Sequence, residues 1–160
     1  MIDRLHPTVF DCVVFGQSLI NPRGPAAECI EQAKRGRIRL FISDFILTEI
    51  LELPTKIRSK IVTFEQAERL VNELKSFAVL VNDFPVVYTH PIDPDDSAYI
   101  NLALATASNL IVSRDRHLLR MMDDPSQWAV DFRRRFPQMM ILPPDTFVGL
   151  LRREEEDLAP

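Results

Sequence analysis

Between residues 8 and 151 the chain alternates short apolar, β-branched runs with stretches of helical periodicity, and few architectures accommodate that alternation. Apolar runs occupy 8–15, 38–42, 110–112 and 139–142, with a weaker strand candidate at 85–88 around Val86 and Val87. The first run is interrupted only by Asp11 and Cys12 and reads as a strand buried on both faces. After the break at Asn21-Pro22-Arg23-Gly24-Pro25, Ala27, Ile30 and Ala33 have helical spacing, and Gly36 stands where a helix-terminating glycine belongs. Ser43-Asp44 offers caps to a helix carrying Ile46, Leu47, Ile50 and Leu51, expected to stop at Pro54. Thr63 and Gln66 form a capping box for a helix with Leu70, Val71, Leu74 and Phe77, expected to pack back on its predecessor.

Asp93-Pro94-Asp95-Asp96 is the sharpest local signal: an aspartate N-cap, proline at the first helical position and acids in the first turn. The helix it opens is expected to run through Tyr99, Ile100, Ala103, Leu104 and Ala107, followed by the strand Leu110-Ile111-Val112. Helices are further expected at 118–122, at 126–136 with Trp128 and Phe132 on one face, and at 145–151. Strands and helices thus alternate at least four times, the pattern of a doubly wound parallel sheet covered on both faces. One domain over 1–150 is expected, with 151–160 as a charged, fraying tail.

Composition narrows the setting. Cys12 and Cys29 are too few for a disulfide framework, which fits a reducing compartment. The first residues, with Asp3, Arg4 and His6, do not read as a secretory signal, and no apolar run approaches a membrane span, so a soluble cytoplasmic protein is expected. A net charge of -4 argues against holding nucleic acid by bulk electrostatics, so phosphate binding must be local. Basic groups gather at Lys34, Arg35, Arg37 and Arg39, at Lys56, Arg58 and Lys60, and at Arg133, Arg134 and Arg135; each group alone reads as solvated helix ends and turns.

Parallel sheets gather ligands beyond the carboxyl ends of their strands. Asp11 lies within or near the end of the first strand, Glu49 on the helix after the second, Asp93 and Asp96 at the start of the helix before the fourth, and Asp115 just after the fourth. A charge inside a nearly continuous apolar run is costly unless paired or bound to a cation, which makes Asp11 the most telling. Against this, a shorter first strand would leave Asp11 as a cap, Glu49 alone is an ordinary helix acid, and capping accounts for Asp93, Asp96 and Asp115. Their common location on one rim favours the functional reading. Carboxylates forced together need a cation, and hard oxygen ligands suit Mg²⁺ or Mn²⁺, which act on phosphates through activated water. Zinc is disfavoured because His6, His90 and His117 show no ligand spacing with the cysteines.

Four segments, in order, resemble the PIN-domain nucleases, specifically the VapC-like toxin components of bacterial toxin-antitoxin pairs. They are Val9-Phe10-Asp11-Cys12 with Asn21-Pro22-Arg23-Gly24-Pro25; Ser43 with Glu49; Asp93-Pro94-Asp95-Asp96; and Val112-Ser113-Arg114-Asp115. The resemblance implies a three-layer α/β/α PIN-like fold with a central parallel sheet of about five strands. It implies a metal-dependent ribonuclease site of Asp11, Glu49, Asp96 and Asp115, with Asp93 as a fifth acid. RNA as substrate, an antitoxin partner and a homodimer are implied with it. The chain departs from the pattern where relatives commonly carry Asp-Thr-Asn: here the residues are Asp11-Cys12-Val13, without the hydroxyl or amide that orients the first acid, although Gln17 stands nearby. His117 occupies a place where a further acid is frequent, and reads first as a surface histidine.

Val13 motivates the competing reading, a catalytically weak domain that binds RNA or a partner protein. A receiver domain would need a lone aspartate after the third strand and a lysine after the fifth, and neither is found near Val87 or Leu142. Haloacid-dehalogenase-like phosphatases need a second aspartate where Val13 stands.

Overall fold

Five parallel strands form one sheet in the order β3-β2-β1-β4-β5 in the computed structural model, which describes residues 6–56 and 61–159. The strands are β1 (His6–Phe10), β2 (Ile38–Ile42), β3 (Val79–Leu80), β4 (Leu110–Val112) and β5 (Met140–Leu142). Asp3, Arg4, Arg58, Lys60 and Pro160 lie outside the described residues.

Between β1 and β2 lie α1 (Cys12–Ile20) and α2 (Pro25–Lys34); α3 (Asp44–Leu51), α4 (Leu53–Lys56) and α5 (Phe64–Phe77) lead to β3. A 3₁₀ turn, Pro94–Asp96, opens α6 (Ser97–Ala105), which precedes β4. Then come α7 (Arg116–Leu119), a second 3₁₀ turn, α8 (Gln127–Arg135), β5 and α9 (Pro144–Leu158). The sheet grows from β1 toward β3 on one side and toward β5 on the other. Right-handed crossovers therefore put the helices of the two halves on opposite faces, giving three layers, α/β/α. Phe10 packs against Phe15 and, from α9, Phe147, with ring centroids 5.9 and 6.3 Å apart, and α6 lies along β1, β2 and β4. Among the described residues no helix is long and apolar enough to cross a membrane.

Several expectations need correction. The apolar run 8–15 is not one strand: β1 ends at Phe10, and 12–15 begins α1, with Val14 and Phe15 buried and Val13 exposed. Buried helix and buried strand look alike in a run this short, and the Asp11 carboxylate, accepting the Val14 N–H at 3.1 Å, caps the helix. The segment 85–88 is not the third strand either. The side chain of Asn101 on α6 takes its backbone groups instead, accepting the N–H of Val87 and of Tyr88 at 2.9 Å and donating to the Tyr88 carbonyl at 2.8 Å. The sheet's third strand is Val79–Leu80, directly after α5 and parallel to β2.

The helix expected to stop at Pro54 does end before it, at Leu51, but Pro54 itself lies in a separate short helix, α4. It occupies the first turn of α4, where its missing N–H costs nothing. The helix expected to reach Ala107 ends at Ala105, and Ala107 turns the chain toward β4 at a φ of 52°. The charged segment expected to fray continues α9 to Leu158, with Glu154 paired to His6 at 2.8 Å and Glu155 paired to Arg37. β2, β4 and the α5 capping box lie where expected, and α5 packs on α3.

Candidate metal centre

The order of the sheet reverses between β1 and β4, so the crevice for a ligand opens beyond Phe10 and Val112, which are register partners. The next residue on one side is Asp11. On the other, Ser113 and Asp115 follow. Ser113 is fully buried and joins the two acids: its hydroxyl donates to Asp11 Oδ2 and accepts the Asp115 N–H at 2.9 Å.

The 3₁₀ turn before α6 brings Asp93 and Asp96 to the same crevice. Asp93 Oδ1 caps the turn by accepting the Asp95 N–H, and Asp96 is 5% exposed. From the start of α7, His117 enters this group, with Nδ1 at 3.4 Å from Asp93 Oδ2, 3.7 Å from Asp115 Oδ1 and 4.0 Å from Asp96 Oδ2. One ligand atom from each of Asp93, Asp96, Asp115 and His117 lies within 4.8 Å of the others. Of the three acids crowding that turn, Asp95 alone is exposed and outside the cluster.

Asp11 adjoins this cluster through Ser113 and through the charge of Asp115. Glu49 does not enter it. Half-buried on α3, it pairs with Lys56 at 3.0 Å, on the side of Cys12 and Tyr99. Burial, reinforced by the charges of Glu49 and Asp11, pushes the Cys12 thiol up to about 12, so that thiol stays protonated. The Tyr99 hydroxyl accepts the Cys12 N–H at 3.2 Å, fixing the start of α1 against α6.

The acids are costly to ionise where they stand. Burial raises the Asp96 carboxyl from 3.8 to about 7, helped by the charges of Asp115, Asp93, Asp11 and Asp95. Burial likewise raises Asp11 to about 6, against the lowering effect of its bonds from Ser113 and Val14. Asp96 Oδ2 has no hydrogen-bond partner although it is buried. An orphaned carboxylate oxygen facing two further carboxylates and an imidazole is the donor set a divalent cation satisfies, so the residues present fit such an ion.

Two supporting residues are not among the candidate site residues read from the sequence, although Ser113 lies within the segment 112–115. One is Ser113, a common residue after a strand. The other is His90, fully buried, whose Nδ1 accepts the N–H of Ile92 and of Asp93 at 3.2 and 3.1 Å, while Nε2–H donates to the His117 carbonyl at 3.0 Å. Burial lowers the pKa of His90, in keeping with the neutral ring this pattern needs. Only the fold reveals that His90 ties the Asp93 turn to α7. His117, readable as a surface histidine, is instead part of the acidic cluster.

A parallel α/β/α sheet with carboxylates converging beyond the strand ends at its switch point is the class of architecture the chain presents, and its donor set fits a divalent cation. The chain belongs to the PIN domain family, whose model matches residues 7–117, from β1 through His117. PIN domains are generally nucleases and typically use divalent metals. A comparison with curated proteins gives no match.

Proposed function

We propose that this chain is a metal-dependent endoribonuclease that hydrolyses phosphodiester bonds, working in the cytoplasm as the toxin of a toxin-antitoxin pair. The observation that carries the reading is Asp96, whose buried, unpartnered Oδ2 faces Asp93, Asp115 and His117. Asp11, Asp93, Asp96 and Asp115 hold the cation, Mg²⁺ or Mn²⁺. Once bound, it supplies an acidified water and positive charge for the phosphate in flight. The capping bonds at Asp11, Asp93 and Asp115 hold their carboxylates in fixed orientations, so little reorganisation is needed at the moment of reaction. Glu49 remains a proposed member of the catalytic set although it stands outside the cluster, on α3 with its carboxylate paired to Lys56. Arg23, Arg114 and Arg116 are exposed and available to the RNA backbone, which confines phosphate binding to the rim of a chain whose net charge is -4.

The test is cleavage of RNA by the purified chain with Mn²⁺, with Mg²⁺ and with EDTA. Metal-dependent cleavage that disappears in Asp96→Asn and in Asp11→Asn is expected, and cleavage unaffected by EDTA would refute the reading. An antitoxin would close the crevice with a basic side chain against the carboxylates. Phe45, Leu51 and Phe64 are 38%, 39% and 59% exposed on α3 and α5, and a homodimer would cover them. Light scattering showing only monomer at high concentration would exclude that dimer.

One observation favours a second reading, a binding domain with weak catalysis. Val13 is 41% exposed at the first turn of α1, an apolar side chain beside Asp11 where the family resemblance implies a polar one. RNA that binds tightly but is not cleaved with any divalent metal would establish it.

A further inference from the structure

The geometry around His117 distinguishes it from a surface residue that happens to face acids. Its backbone N–H donates to Asp115 Oδ1 at 2.7 Å and its carbonyl receives the bond from buried His90, so the residue is gripped on both sides. Its side chain is 40% exposed, yet Nδ1 turns inward, between 3.4 and 4.0 Å from oxygens of Asp93, Asp115 and Asp96. An ion about 2.0–2.2 Å from every donor holds adjacent donors roughly 3.0–3.5 Å apart and opposed donors about 4.2 Å apart. The three separations from Nδ1 therefore suit an ion shared between His117 and these acids, and are long for hydrogen bonds between them. At 4.0 Å the ring does not satisfy Asp96 Oδ2, which stays unpartnered although Asp96 is 5% exposed. That orphan oxygen, aimed into the cluster, is a second observation that points to a cation ligand.

We propose that His117 supplies a nitrogen ligand through Nδ1, and that this ligand makes the site favour transition-series dications such as Mn²⁺ and Co²⁺ over Mg²⁺. The inference rests on the metal-dependent reading above and extends it to the choice of cation. Mg²⁺ takes oxygen ligands and gives up water reluctantly, so an imidazole in place of water gains it little. Later first-row ions bind nitrogen progressively better. With Nδ1 on the ion the ring's proton resides on Nε2, as a neutral ligating imidazole requires.

Mn²⁺ added alone to the full chain is the probe, followed by continuous-wave EPR for affinity and pulsed EPR for nitrogen coupling. Bound Mn²⁺ in the wild type is expected to show coupling to a ¹⁴N nucleus. In His117→Ala the coupling is expected to vanish while Mn²⁺ still binds, with affinity lowered at least about tenfold, the scale on which even a partner of a ligand counts. Mg²⁺ affinity, read by competition, is expected to fall less, so the Mn²⁺/Mg²⁺ preference shrinks. Mn²⁺ bound without ¹⁴N coupling in the wild type, or coupling that persists in His117→Ala, overturns the proposal and leaves the metal-dependent reading intact. A wild type that binds no Mn²⁺ overturns both.

Discussion

Replacing Asp11 by Asn is expected to stabilise the metal-free protein at pH 8 and destabilise it relative to the wild type once Mn²⁺ is present. Asp11 is 2% exposed, and burial raises its carboxyl from 3.8 to about 6. At about 1.4 kcal/mol per pH unit, that gap corresponds to about 3 kcal/mol that the ionised group takes from folding. The sign follows from which state holds the proton more tightly. Here it is the folded state, so the protein keeps its full stability below pH 3.8, loses it as pH rises to about 6, and bears the whole cost above. Asparagine carries no charge. Its oxygen can still cap Val14, but the bond from Ser113 must be rearranged, at about 1 kcal/mol. The net gain at pH 8 is then about 2 kcal/mol, turning into a loss of about 0.5 kcal/mol at pH 4. Urea unfolding in EDTA at the two pH values reads this directly as a shift in midpoint at constant slope. Saturating Mn²⁺ should reverse the order, because a ligand at about a hundred times its dissociation constant stabilises the wild type by about 2.7 kcal/mol. A variant less stable than wild type in EDTA at pH 8 would refute the claim that the acid is held at a cost to folding.

Ser113→Ala removes the donor to Asp11 and the acceptor of the Asp115 N–H; a loss of about 1–3 kcal/mol at pH 8 is expected, and a smaller one at pH 4 where Asp11 is protonated. Equal losses at both pH values in urea unfolding would contradict it. His90→Ala strands the N–H groups of Ile92 and Asp93 and the His117 carbonyl, so a loss of at least about 2 kcal/mol together with weaker Mn²⁺ binding is expected. An unchanged unfolding midpoint would show that the bridge is unimportant. Val13→Asn places a polar group beside Asp11, and RNA cleavage with Mn²⁺ is expected to rise about tenfold, the scale of an added partner to a metal ligand. Cleavage unchanged in that variant would mean that Val13 does not limit the site.

What could be read along the chain was governed by how local its cause is. β2, β4 and the Thr63–Gln66 capping box are fixed by neighbouring residues, and they stand where expected. The run 8–15 failed because an apolar stretch records burial and not backbone conformation; only the capping bond of Asp11 tells α1 from a strand. The segment 85–88 failed for a nonlocal reason, since Asn101, thirteen or fourteen residues away, takes its backbone groups. The site divides the same way. Asp11, Asp93, Asp96 and Asp115 were visible as acids beside strand ends. The part played by His117 depends on three segments meeting, and Glu49, chosen with the other acids, stands apart with Lys56.

Capping and cation binding look like rival explanations of these acids, and at Asp93 the carboxylate's two oxygens remove the rivalry. Asp93 caps with Oδ1 and turns Oδ2 toward His117; Asp11 caps with Oδ1 and receives the Ser113 hydroxyl on Oδ2. Asp115 accepts the His117 N–H and so holds in place the residue that faces it. The local role therefore serves the distant one: a capping bond of about 1 kcal/mol fixes the rotamer from which the carboxylate meets its neighbours across the crevice. Asp96 makes no side-chain cap and is the buried acid left with an unpartnered oxygen. Its cost has no local return, and a cation shared with Asp93, Asp115 and His117 is what would repay it.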